Sequence, residues 1–361
     1  MKILYFSTVN WKWIKQRPHF IPYYLSQQGH EVDYVSLNPI GKSFVKKMNM
    51  GRLRVIDSYV LPFSLRCRWI ERVNIASIRA RLARNKYDIV ILTHPLHYQY
   101  LPDTIRNSAI LIYECMDHMP YFYEGDVRER MLAEERKTLI LADGVITSSD
   151  TLRNELQCRS PNKQLAIRTI YNALDHQTFG RRPTPIALQE PNLVYIGTIG
   201  PWLDWNALNQ FATKHPAYTV YLIGPYEKKR KLPSNVRWLG AVPHQEVVDY
   251  IHAGNIMLLP FQVNKLTEAV DPVKLYEYLA LDKPVISAYW PELERFASVS
   301  KHLRFYRDYS EFEENVLDLS HQKTMSKPNQ GFIDQHHWEK RVCEYLRFIE
   351  SVRKKSEEEK G

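Results

Sequence analysis

The chain has 361 residues but only four cysteines, Cys67, Cys115, Cys158 and Cys343, and no Cys-x-x-Cys pair among them. That scatter supplies neither a zinc cluster nor a redox dithiol, and so little cysteine fits a reducing, cytoplasmic setting. No apolar run is long enough to span a bilayer, and Met1 leads directly into a strand pattern rather than a signal peptide. No Gly-x-Gly-x-x-Gly follows the first strand, and residues 8–15 hold no glycine at all. Dinucleotide-dependent oxidoreduction is therefore disfavoured. There is no internal repeat, and no low-complexity stretch before the tail "KKSEEEKG", whose composition predicts disorder.

A length of 361 residues with 44% hydrophobic content predicts two globular domains. Twenty-three Tyr and eight Trp are many. Such rings suit carbohydrate stacking or a membrane interface, although most are expected to be ordinary core and surface aromatics. The formal net charge is +9 and is unevenly placed. From Lys42 to Lys86, twelve Lys and Arg stand against Asp57 and Glu71 alone, interleaved with apolar residues such as Phe63, Trp69 and Ile78. A segment of this kind either adheres to an anionic membrane surface or forms a solvated helix packed through one face. No nucleic-acid-binding motif accompanies it, so nucleic acid is not expected as a partner.

Strand and helix patterns alternate from Lys2–Ser7 through Pro18–Gln28, Val32–Leu37, Ile75–Asn85, Tyr87–Leu92, Ile110–Glu114 and Glu124–Leu141 to Gly144–Thr147. They restart after Pro191 and end in an amphipathic helix over Trp338–Lys355. Alternation of this kind predicts α/β architecture with two Rossmann-like doubly wound domains. The expected division is a first domain over 1–175, a proline-bearing linker over 176–190, a second domain over 191–335, and a final helix with tail over 336–361.

The most informative stretch is Asp271–Ser287, DPVKLYEYLALDKPVIS. Asp271 suits an N-cap and Pro272 the first helical position. Leu275 and Leu279 share the inward face. Lys274 and Glu277 are i, i+3 neighbours. A helix N-terminus carrying a lysine, with a carboxylate one turn later, suits a sugar nucleotide: N–H groups and ammonium for the diphosphate, carboxylate for the ribose hydroxyls. An exposed ion pair at a helix start is the plainer alternative.

"PVKLYEYLALDKPVIS" resembles the donor motif of GT-B fold nucleotide-sugar glycosyltransferases, especially the family 4-like bacterial enzymes of the teichuronic-acid and exopolysaccharide type. "NLVYIGTIGPWLDWNAL", "YTVYLIGPY", "NVRWLGAVPHQEVVDYI" and "IMLLPF" follow that family's order, and "YECMD" and "ADGVITSSDTL" match it more loosely. The resemblance implies two domains facing across a cleft, with the last helix crossing back to the first domain. It implies a metal-independent hexosyltransferase using a UDP-linked or similar donor and no cofactor. It also implies a glycan or lipid-linked acceptor, and a peripheral place on the inner face of the cell membrane. No Asp-x-Asp occurs to hold a phosphate-bridging metal. A GT-B fold sugar-nucleotide epimerase and a non-catalytic sugar-nucleotide-binding subunit are the competing readings.

The implied donor-binding residues are Gly197, Thr198, Gly200, Gly224, Val242, Pro243, Asp271, Pro272, Val273, Lys274 and Glu277. Lys274 would stabilise the departing diphosphate. Asp117 follows a strand and is the expected base or binding carboxylate, with His118 and Glu114 as substitutes. Arg17, His19, His94 and His97 are the expected acceptor contacts. The sequence departs from the family where Trp202, Leu203, Asp204 and Trp205 stand in place of the usual Arg and Lys, and where "NKLTEAVD" replaces a glycine-rich loop.

Overall fold

The computed structural model describes residues 1–40, 47–226, 230–321 and 328–358. Lys42, Phe44 and Lys46 of the basic stretch lie outside the described residues, as do the last three residues of the tail. The tail before them, expected to be disordered, continues the final helix, which spans Trp338–Glu358.

The chain forms two compact units, one of Met1–Tyr171 with Trp338–Gly361 and one of Asn172–His337. The first contains an eight-stranded sheet: β1 (Lys2–Ser7), β2 (Glu31–Pro39), β3 (Met48–Met50), β4 (Leu53–Val60), β5 (Ile89–Leu92), β6 (Ile110–Cys115), β7 (Gly144–Thr147) and β8 (Ala166–Thr169). Their order is β3-β4-β2-β1-β5-β6-β7-β8. All neighbours are parallel except the β3–β4 hairpin. The second unit contains β9 (Asn192–Ile196), β10 (Thr219–Ile223), β11 (Val236–Gly240), β12 (Ile256–Leu259), β13 (Val285–Ala288) and β14 (Leu303–Tyr306). Their order is β11-β10-β9-β12-β13-β14, parallel throughout.

Central strands of such sheets are covered on both faces, so they read as apolar runs: Ile3 to Phe6, Ile89 to Leu92 and Leu193 to Ile196 are all buried. In each unit the strand order turns about one strand pair, β1/β5 and β9/β12. In sheets of this kind ligands bind beyond the carboxyl ends of such a strand pair.

Three local expectations are corrected. Residues 176–190, read as a linker, pack within the second unit: His176–Phe179 is a helical turn capped by Asp175, and Arg181 pairs with Asp249 at 2.6 Å. The helix expected from Ile75 begins at Arg68. Its first inward positions are polar, which hid them from a search for apolar periodicity. Glu71 receives Arg130 and, at 3.0 Å, Gln99, while Asn74 bonds both the N–H and the carbonyl of Leu61, at 2.8 and 3.0 Å. Part of the basic stretch is sheet interior, since Leu53 and Val55 on β4 are wholly buried and Arg54 pairs with Asp33.

The final helix belongs to the first unit. Trp338 stacks on Phe20 with centroids 5.3 Å apart, and the helix packs so closely on β7 that a Cβ at Gly144 would lie 2.8 Å from Val352.

Candidate functional site

In the second unit, three strand-end turns meet. Gly197 follows β9, Gly224 follows β10 and Gly240 ends β11. The N–H of Gly197 donates to Ile223 O at 2.8 Å, and that of Gly224 to Gly240 O at 2.7 Å. Gly197 and Gly224 have φ of +144° and +141°, in the range that L side chains avoid. A Cβ on Gly224 would fall 2.0 Å from Gly197 O, and one on Gly197 would fall 1.9 Å from Lys274 Cε. The lysine stem therefore lies directly across the end of β9, with Nζ 5.9 Å from the centre of the Tyr195 ring. Tyr195 Oη donates to Thr198 O at 2.9 Å and fixes the turn.

Lys274 sits in the first turn of the Val273–Ala280 helix. Asp271 is not its N-cap; the cap position is Pro272, with no side-chain hydrogen bond to the helix. The Asp271 carboxylate turns inward instead. It pairs with Arg295 and accepts from Asn172 N at 2.6 Å and Tyr276 Oη at 3.0 Å. Asp271 is thus withdrawn from the expected donor-binding set, because three internal donors outcompete capping. Leu275 and Leu279 pack inward, as the spacing required.

Glu277, one turn after Lys274, is only 7% exposed. It is no surface ion-pair partner. Among the described residues no side chain donates a hydrogen bond to it. Burial pushes its pKa up, His244 and Lys274 pull it down, and Asp175 adds a like charge. His244 Nε2 lies 3.5 Å from the Asp175 carboxylate. Burial raises the Asp175 pKa, but hydrogen bonds from His244 and Thr178 more than offset it, leaving the group below its ordinary value.

His244 and Asp175 were not among the residues expected from sequence. His244 directly follows Val242 and Pro243, so adjacency was an available signal. Asp175 lies 102 positions from Glu277, and nothing local marks it. Val242 and Pro243 lie in the loop after β11, where Pro243 opens the His244–Glu246 turn. Gly200 serves loop packing: a Cβ there would lie 2.5 Å from the Trp202 ring, and its carbonyl accepts from Trp205 Nε1 at 3.1 Å.

In the first unit, the loops after β5 and β6 place His94, His97, Asp117 and His118 at the carboxyl edge. His94 Nδ1 accepts from Leu96 N at 3.1 Å, which leaves the ring proton on Nε2. Burial lowers its pKa to about 4, so the ring is a neutral donor. Asp117 is half-buried, and its carbonyl accepts from Met119 N at 2.7 Å. His118 is buried and pairs through Nε2 with Glu155, its ring 4.5 Å from that of Tyr121.

Three of the four expected acceptor contacts, and Glu114 as a substitute base, are structural. Arg17 is 3% exposed: it binds Glu114 at 2.6 Å, Ile170 O at 2.7 Å and Tyr345 Oη at 2.8 Å. Glu114 is filled by Arg17, Tyr5 and Tyr345. His19 uses both ring nitrogens, on Gln16 N and Asn10 O, each at 3.2 Å. His97 is buried and stacked on Phe6 with centroids 4.2 Å apart. A long aromatic or basic side chain near a helix start looks the same in sequence whether it faces a ligand or ties two elements together.

Two family profiles match the chain in succession, "Glycosyltransferase Family 4" over residues 23–178 and "Glycosyl transferase-like" over residues 205–347. The chain belongs to the family 4-like glycosyltransferases of GT-B fold. TuaH of Bacillus subtilis (strain 168), named for teichuronic acid biosynthesis, is 27% identical over 208 residues, which are 51% of this chain and 52% of TuaH. The aligned part thus spans about half the length of that curated relative. Among solved structures, sucrose-phosphate synthase from Thermosynechococcus elongatus superposes with a TM-score of 0.74 at 14% identity, covering 98% of this chain and 99% of that one. Anabaena HepE, solved with UDP and glucose, superposes with a TM-score of 0.69 at 12% identity, covering 97% and 100%. At such identities these likenesses establish the fold. No helix among the described residues is long and apolar enough to cross a membrane.

Proposed function

We propose that this chain transfers a sugar from a nucleoside diphosphate sugar, with UDP as the nucleotide, to a surface-polysaccharide or lipid-linked glycan acceptor. The observation that carries the reading is the meeting of Lys274 with the glycine turns at Gly197 and Gly224, beside the buried Glu277. A nucleoside diphosphate matches the chemistry of these groups. Its diphosphate complements the Lys274 ammonium and the N–H groups opening the Val273–Ala280 helix. Its ribose hydroxyls donate to the Glu277 carboxylate, one turn after Lys274 on the same helix. As the glycosidic bond to phosphate breaks, charge grows on the leaving diphosphate. A fixed cation then stabilises the transition state more than the ground state, with no metal required. Asp117 acts at the acceptor hydroxyl as base or binding group, and the neutral His94 ring offers Nε2–H to the acceptor.

The TuaH likeness, with teichuronic acid biosynthesis in that protein's name, favours a cell-envelope acceptor; a peripheral place on the cytoplasmic face of the membrane is part of the same proposal. The test is UDP release from a panel of UDP-sugars with lipid extracts or polysaccharide fragments as acceptor, in the presence of EDTA. Acceptor-dependent UDP release with a new glycosidic product supports the reading. Epimerised UDP-sugar formed without acceptor would replace it with the epimerase.

A further inference from the structure

The carboxyl edge of the β4-β2-β1 wing bears an unusual surface. Three parallel neighbours send the loops that follow them to the same edge, and each loop exposes large apolar residues. After β1, Trp13 is 50% exposed and Ile14 stands beside it. After β2, Ile40 is exposed. After β4, Phe63 is 70% exposed, and Trp69, in the first turn of the next helix, is 64% exposed. A water-facing aromatic ring gains nothing from this placement in an isolated molecule.

The backbone makes the placement deliberate. Phe63 has φ of +66°, a left-handed conformation costly for a bulky residue. It is held there by hydrogen bonds from Arg66 N and Cys67 N to its carbonyl, at 3.0 and 2.9 Å. The three loops share a rigid floor. Asn10 Nδ2 donates to Asn38 at 2.8 Å, Asn38 to Ser36 Oγ at 3.0 Å, and Ser36 to Asp57. Ile40 N donates to Val60 O at 3.1 Å, and Trp11 wedges against Tyr34 and His19 with centroids 4.9 and 5.1 Å apart. The exposed tips therefore stand on a fixed base.

Charge completes the pattern. Lys12, Lys15, Arg66, Arg68 and Arg72 are exposed along these loops, and none forms an ion pair among the described residues. Residues 8–16 and 61–70 contain no acid. Glu71, the first acid beyond them, is buried and taken by Arg130.

We infer that this edge of the first unit is a docking surface for an anionic lipid bilayer: the apolar tips enter the headgroup boundary and the cations rest on phosphates. The inference rests on the proposed lipid-linked acceptor only for its purpose, since docking brings the acceptor loops after β5 and β6, on the same sheet edge, to the surface where such an acceptor resides. It narrows the basic stretch to its functional part. Arg84 and Lys86, which precede β5, lie at the opposite, amino edge.

The test is sedimentation of the full chain with phosphatidylcholine vesicles, with and without phosphatidylglycerol, at low and high salt. Binding should require phosphatidylglycerol and fall with salt. It should drop roughly tenfold in Lys12→Ala/Lys15→Ala/Arg66→Ala and in Trp13→Ala/Phe63→Ala/Trp69→Ala, while Arg84→Ala/Lys86→Ala binds like the parent. Each variant is checked for an unchanged UDP-induced melting shift, which reads the donor site separately from the membrane surface. Absence of phosphatidylglycerol-dependent binding, or equal loss in the amino-edge variant, overturns the inference.

Discussion

Lys274 and Glu277 occupy one turn of one helix, yet the fold treats them differently. The lysine stem is laid over Gly197, while the carboxylate belongs to a buried residue with no side-chain donor among the described residues. Gly197→Ala should therefore act twice. The φ of +144° costs about 1–3 kcal/mol for a residue with a Cβ, and the new methyl displaces Lys274. We expect a melting point lower by several degrees and nucleotide affinity reduced by at least about tenfold, read by thermal shift and calorimetry. The histidines give a pH signature. Burial holds His94 and His19 at a pKa of about 4 against an ordinary 6.5. The unfolded chain takes up these protons first, so their contribution to stability is full above 6.5 and is lost as pH falls towards 4. Denaturant titrations across that range should show the loss, and His94→Gln should reduce its slope.

At the scale of elements, the motif helix was legible because its spacing, flanking proline and following strand agree with one another. The Asp271 cap was not, since the competing donor, Arg295, lies 24 positions away and only tertiary structure joins them. The same reason separates Arg17 from its expected role. Its partners Glu114 and Tyr345 are 97 and 328 positions distant, and they weld the first helix, β6 and the final helix together. Removing one member of a buried pair strands the other. Arg17→Ala should cost about 3–5 kcal/mol in urea unfolding, while Arg17→Lys should recover only part of it, because Lys cannot reproduce the forked contacts.

Across the whole molecule, alternating strand and helix patterns were enough to foresee two doubly wound units, while the return of the last helix came from the family resemblance. The strand β4 escaped because its charged positions Arg54 and Asp57 read as part of a basic surface, although Arg54 pairs with Asp33 and Asp57 is buried against Ser36. The proposed donor residues, after β9 and β10 and on the motif helix, come from short motifs, each contiguous in sequence. The acceptor side does not: its candidates are isolated histidines and carboxylates, whose role depends on partners that local sequence does not specify. The proposed metal-independence concerns the whole reaction. Initial rates should be unchanged by EDTA, and a strict requirement for added magnesium or manganese would remove Lys274 as the main stabiliser of the leaving diphosphate.

The central claim is that the Lys274 turn and Glu277 hold a nucleoside diphosphate. Isothermal titration of UDP into the full chain tests it, with Lys274→Ala and Glu277→Gln alongside. The account predicts saturable binding to the parent, at least about tenfold weaker binding to each variant, and variants whose unliganded melting points stay within a few degrees of the parent. No heat at millimolar UDP, or equal affinity in Lys274→Ala, would contradict it.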